Sequence, residues 1–189
     1  MTPGRSSART SPASRSGPAD ATEEVSRFVA ESPDPGGRRP AFKPPFVARP
    51  VPCDDAVTLA RNAAKKHGLE AGLLIGIMRA ESGMIRNAIS PARAVGLIQV
   101  LPWIGEKLGC GDLFDPALNV DCGARILKDF LAHYGNDVTL GLSAFNAGWA
   151  MPDAARKESR VPKNFQYAED VLRARARWLR AGCKAFERD

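Results

Sequence analysis

From Cys53 onward, five runs of helical period follow one another, each stopped at a glycine, and no long run alternates as a strand would. "DDAVTLARNAAKKH" runs to Gly68, "LLIGIMRAES" to Gly83, "NVDCGARILKDFLAHY" to Gly135, "DVTLGLSAFNA" to Gly148 and "FQYAEDVLRARARWLRA" to Gly182. A glycine just past the last periodic residue takes a left-handed turn without a side-chain penalty and ends a helix. Between the second and third runs, "MIRNAISPARAVGLIQVLP" has no clean period and contains Pro91, Gly96 and Pro102, which predicts a loop or a short β-ribbon. Asp112, Asp115 and Asp121 read as turn and helix-start residues. A mostly α, single globular domain over residues 53–189 is what such a chain can build.

The first 52 residues differ in kind. They are rich in Ser, Pro, Arg and Gly and hold one short amphipathic island, "EEVSRFVAE". That apolar surface is too small to offset the entropy of ordering the segment, so residues 1–52 are expected to be a disordered tail. With 189 residues, 44% of them hydrophobic, the chain has enough for one sizeable core.

The formal charge of +6 is unevenly spread. Residues 1–52 carry 8 Lys/Arg against 5 Asp/Glu, residues 53–152 carry 9 against 10, and residues 153–189 carry 10 against 6. A basic rim beside a near-neutral body suits a polyanion such as an anionic wall polymer, or is simply a solvated surface. No zinc-finger spacing, RNP-like segment or aromatic–basic alternation supports nucleic acid as the partner.

The four cysteines, 53, 110, 122 and 183, include no C-x-x-C pair and are accompanied by only 2 His, which is poor material for a zinc site. Cys110 and Cys122 bracket one short loop, and Cys53 and Cys183 flank the periodic region. Two disulfides with those pairings are expected in an oxidising compartment, with four buried thiols as the alternative. No apolar run is long enough to cross a bilayer. No apolar h-region of a Sec-type signal follows the N-terminus. The protein either stays inside or leaves by another route, and the cysteines favour leaving, for the periplasm or the medium.

Glu81 raises a separate question. Leu74, Ile77 and Met78 sit at helical spacing, and Glu81 falls three residues after Met78 and seven after Leu74, on the apolar stripe itself. Burial disfavours a charged carboxyl, and the negative end of the helix dipole pushes its pKa the same way, upward. A carboxyl held protonated near neutrality is what a general acid needs. The alternatives are a side chain turned to solvent at a frayed helix end, or one paired with Arg79 or Arg86.

"ESGMIRNAISPARAVGLIQVLP", "LFDPALNVDCGARIL", "SAFNAG" and "NFQYAEDVL", in this order and spacing, resemble the soluble lytic transglycosylase domain, a lysozyme-like α+β fold of the goose type. The family pattern has a Glu-Ser pair, a Ser-Pro about nine residues on, Gly-Leu-Met-Gln after it, Ala-Tyr-Asn-Ala-Gly on a later helix, and then a Tyr near a closing Val. The resemblance covers roughly Cys53 to Arg180. It implies cleavage of the β-1,4 bond between N-acetylmuramic acid and N-acetylglucosamine in peptidoglycan, with no metal or cofactor. Glu81 would be the single catalytic acid/base. Ser82 would pack beside it, Ser90 and Gln99 would line the cleft, Asn146 would bond near the scissile linkage with Phe145 beside it, and Tyr167 would close the site. The partners implied are glycan strands and, for small members with a cysteine-bearing start, a secretion or conjugation machine, for example of type III. A monomer is expected.

Three positions depart from the pattern. Ile98 replaces Met, Phe145 replaces Tyr and so lacks a hydroxyl, and Arg93 stands where the family commonly has Gly, which predicts a changed loop backbone or a reach to a different glycan feature. Two other functions stay open on the same residues: a hydrolytic lysozyme using an activated water, and a glycan-binding accessory protein of a secretion apparatus.

Overall fold

The computed structural model describes residues 47–187. The expected tail lies, up to residue 46, outside the described residues. Seven α-helices follow in chain order: α1 (Cys53–His67), α2 (Ala71–Ser82), α3 (Pro102–Lys107), α4 (Pro116–His133), α5 (Val138–Ala147), α6 (Ala150–Lys157) and α7 (Phe165–Ala181). A short 3-10 turn, Gly182–Phe186, follows α7.

Helix α2 is the centre of the core. Its residues Gly72 to Met78 are all buried, and Leu74, Ile75, Ile77 and Met78 are fully so. A helix that is apolar on every side can only sit inside, and α1 and α7 cover it. Gly76 makes that cover close. A Cβ there would lie 2.4 Å from the carbonyl oxygen of Val171, so α2 and α7 meet at backbone distance. Around this pair, Phe130 of α4, Leu142 of α5 and Val171 of α7 complete the same core.

Caps agree with the residue types that supply them. Asp115 accepts from the backbone N–H groups of Ala117 and Leu118 and starts α4 with Pro116 in its first turn, three residues before the start read from periodicity. Asp137 does the same for α5 through Leu140. Gly68 and Gly83, both left-handed, end α1 and α2. Asp121 proves to be no helix start. It sits inside α4 and pairs with Lys66 (2.8 Å) and His67 (2.9 Å) at the end of α1. Two helices, α3 and α6, carry no apolar stripe long enough to read in sequence.

The ribbon expected between α2 and α3 is reduced, among the described residues, to isolated antiparallel bridges: Pro50 with Ile85, Ile89 with Val95, and Val95 with Val100. Residues 49–51 lie on the tail side of the expected boundary at Cys53, yet they pair with the turn after α2. Val51 N–H bonds Met84, and Arg49 accepts from Arg86. The disulfides join Cys53 to Cys183 and Cys110 to Cys122, as their bracketing positions suggest. No helix among the described residues is long and apolar enough to cross a membrane.

Candidate active site

Glu81 occupies the last turn of α2, where that apolar helix comes out of the core. Its side chain is largely desolvated, and burial raises its pKa above the ordinary carboxyl range. The Tyr167 hydroxyl, donated from the first turn of α7 to Glu81 Oε1 at 2.7 Å, pulls the other way and wins less. Tyr167 is itself held well above its usual pKa by burial and by Glu81, so it stays a donor. Neither arginine plays the counterion: no cation contributes to the shift of Glu81, and Arg79 lies over the ring of Phe186. The result is a carboxyl biased toward its acid form and fixed by one hydroxyl.

Ser82 ties this turn to the loop that follows. Its hydroxyl bonds the carbonyl of Met78 on its own helix and that of Leu97 across the loop (2.8 Å). Gln99 stands in the same loop with a left-handed backbone, φ 54°, where a side chain other than glycine is strained. Its amide nitrogen bonds the carbonyls of Gly96 (2.8 Å) and Ala88 (3.3 Å), which leaves its amide oxygen as the group it can offer a ligand. The Ser90 hydroxyl accepts from the N–H of Ala94, so it shapes the turn at the loop's tip. Arg93, also in that turn, has φ 67°, a left-handed conformation that suits glycine and here carries an arginine. Phe145 packs on the core with no polar contact to contribute. Neither Ser90 nor Gln99 hydrogen-bonds Glu81, Asn146 or Tyr167 among the described residues.

Two residues that the sequence reading passed over hold the site together. Asn119, fully buried on α4, accepts the N–H of Ile98 (2.9 Å) and donates to the carbonyl of Val95 (2.8 Å). It clamps the loop between Ser90 and Gln99 from beneath, and Gly96 leaves the room: a Cβ there would lie 2.4 Å from the Asn119 amide. Asn164, just before α7, donates to Asn146 Oδ1 (3.0 Å) and to the carbonyl of Ser143 (3.1 Å). An amide on a buried helix face signals a partner in waiting, just as the acid at 81 does. For Asn119 that signal was present at spacing four and eight from Gly123 and Leu127.

No group of His, Cys, Asp or Glu suited to a metal ion occurs among the described residues. The acids nearest in sequence to the motif loops are committed elsewhere: Asp112 to the N–H of Phe114, Asp115 to its cap, Asp121 to its cations. One unshared carboxyl on a desolvated helix end can donate a proton and, once ionised, take one back.

The sequence model of the family described as transglycosylase SLT domain matches residues 58–167, more than half of the chain. Among curated relatives, the membrane-bound lytic murein transglycosylase C of Mannheimia succiniciproducens is 34% identical over 110 residues, covering 49% of this chain and 31% of its own. The transglycosylase of Enterobacteria phage PRD1 is 30% identical over 100 residues, 53% of this chain and 37% of its own. The chain thus matches about a third of the length of these relatives. Among solved structures, the 70 kDa soluble lytic transglycosylase SLT70 from Escherichia coli superposes with a TM-score of 0.58 at 20% identity, over 68% of this chain and 25% of that one. The lytic transglycosylase Slt from Pseudomonas aeruginosa gives 0.56 at 24%, over 62% and 23%. At these identities the two structures speak for a common fold.

Proposed function

The chain belongs to the transglycosylase SLT domain family, and from that premise we propose that it is a peptidoglycan lytic transglycosylase with Glu81 as its only acid/base. The observation that carries the proposal is the state of Glu81: desolvated, shifted toward its acid form and bonded by Tyr167. Glu81 in its acid form protonates the glycosidic oxygen as the β-1,4 bond between N-acetylmuramic acid and N-acetylglucosamine breaks. The carboxylate left behind then takes the proton of the muramic acid's own C6 hydroxyl, whose oxygen closes on C1 to give a 1,6-anhydro ring. One proton leaves and one returns, so a single group serves both halves, where most glycosidases need two carboxylates. Gln99 and Asn146 contribute an acceptor and a donor to the sugar's amide and hydroxyl groups, Ser82 and Ser90 hold the loop that presents Gln99, and Phe145 supports Asn146 from the core.

The substrate places the work at the cell wall, and two disulfides suit an oxidising compartment. We extend the proposal to a monomer that opens the wall locally beside a secretion or conjugation machine. Mass spectrometry of muropeptides released from purified sacculi tests the reaction. Products one water lighter than free reducing ends are expected. Reducing ends would make the protein a hydrolase on the same fold, and no release would leave glycan binding as its activity. Pull-down of machine components with the exported protein tests the partner.

A further inference from the structure

The three residues Ser143, Asn146 and Asn164 form a hydrogen-bonded set whose sense is fixed by its buried end. Ser143 is fully buried, and its backbone carbonyl can only accept. The amide nitrogen of Asn164 must therefore face it, which turns the Asn164 oxygen to the Ser143 hydroxyl at 2.5 Å. The same nitrogen reaches Asn146, which in turn must present its oxygen inward. What Asn146 then has left for a ligand is its NH₂. Asn164 also begins α7, and its backbone carbonyl accepts from Tyr167 three residues on, while Tyr167 holds Glu81.

Resting on the transglycosylase reading, we infer that Asn164 is a positioning residue: it sets the amide of Asn146 so that a donor, not an acceptor, faces the glycan. The backbone bond to Tyr167 survives any side-chain change at 164, so substitutions there act on the amide set alone. Asn164→Ala leaves Asn146 free to turn. Asn164→Asp goes further, because a carboxylate at that position can only accept and draws the Asn146 nitrogen inward, presenting the oxygen to the cleft.

Two measurements on the full chain test this. In the first, release from soluble glycan strands is followed for Asn164→Ala and Asn164→Asp, each alone and combined with Asn146→Ala. About a tenfold fall in kcat is expected for Asn164→Asp, the weight of one ordinary hydrogen bond, a smaller fall for Asn164→Ala, and little change of KM. In the Asn146→Ala background neither substitution should lower kcat further. Full kcat in Asn164→Asp, or an equal loss in both backgrounds, would overturn the assignment. The second reads binding without turnover: chitotetraose should shift the side-chain NH₂ resonances of Asn146 in the wild type and not in Asn164→Asp, and equal shifts in both would sink the inference. The transglycosylase reading fails by a different sign, undiminished muropeptide release by Glu81→Gln.

Discussion

At Glu81 the same desolvation that prepares a proton donor also strains the fold, and the two effects are separable by pH. In the unfolded chain this carboxyl loses its proton in the ordinary range, whereas in the folded chain it holds the proton to higher pH. Between those two values the folded state binds more protons, so stability falls as pH rises. Glu81→Gln removes that penalty while keeping the shape and an acceptor for Tyr167. Its Tm is therefore expected to exceed that of the wild type at about pH 7 and to match it near about pH 3, where both carboxyl states are protonated. Muropeptide release by the same variant should fall by about 10²–10⁴-fold or more, since one group serves both proton transfers. Tyr167→Phe makes the complementary change. Loss of the hydroxyl removes the bond that lowers the Glu81 pKa, so the limb of the pH–rate profile governed by Glu81 should move to higher pH. An unmoved limb, measured over a full profile, would show that Tyr167 closes the site without tuning the acid.

The helices that place these residues were legible in sequence wherever an apolar stripe and a stop coincided. Helices α1, α2 and α7 run close to their expected bounds, and Gly83 stops the second of them at the intended turn. Glu81 was legible for a related reason, an acid where the stripe demands an apolar residue. What could not be read was which distant backbone or side chain a buried amide would choose. Periodicity carries no information on Asn119 reaching 24 residues back to Val95, or on Asn164 reaching 18 back to Asn146. The short α3 and α6 expose too little stripe to register, and the loop between α2 and α3 hides its order in caps and single bridges. Arg93 adds a lesson of its own: its backbone is left-handed, which strains a side chain other than glycine, while its N–H bonds the carbonyl of Ser90. The weight of the loop clamp can be measured. Asn119→Ala strands the N–H of Ile98 inside the core, at about 1–3 kcal/mol, and takes from the carbonyl of Val95 one of two donors, worth about 1 kcal/mol, since the N–H of Val100 still reaches it. Denaturant unfolding should show a loss of about 2–4 kcal/mol, and activity should fall with it, because Gln99 loses the support that holds its left-handed backbone. A loss below about 0.5 kcal/mol would mean that water replaces the clamp.

Across the whole molecule the covalent frame and residues 47–52 act on the same region. The disulfide from Cys53 to Cys183 spans 130 residues and, in a chain-entropy account, contributes roughly 5 kcal/mol before any strain. It anchors the start of α1 beside the end of α7, and so holds the two helices that cover α2. Just ahead of Cys53, the chain reaches back over the turn that follows Glu81. Val51 bonds Met84, Arg86 bonds Arg49, and the side chain of Asn87 links the N–H of Arg49 to the carbonyl of Val47. Residues 47–52 therefore brace the turn next to the acid, and we propose that the domain starts ahead of Cys53, with residue 47 and residue 53 as the two starts to compare. Two truncated chains separate these positions. One that starts at residue 47 is expected to match the full chain in Tm and in muropeptide release, because no residue assigned to the site lies before it. One that starts at residue 53 gives up four hydrogen bonds around residues 84–87. At a net ~0.5–1 kcal/mol each for these partly exposed bonds, it should lose about 2–4 kcal/mol and release muropeptides more slowly even where it remains folded. Equal stability of the two truncated chains would show that the brace is incidental, and a loss of the thermal transition already at residue 47 would put part of the preceding segment inside the domain.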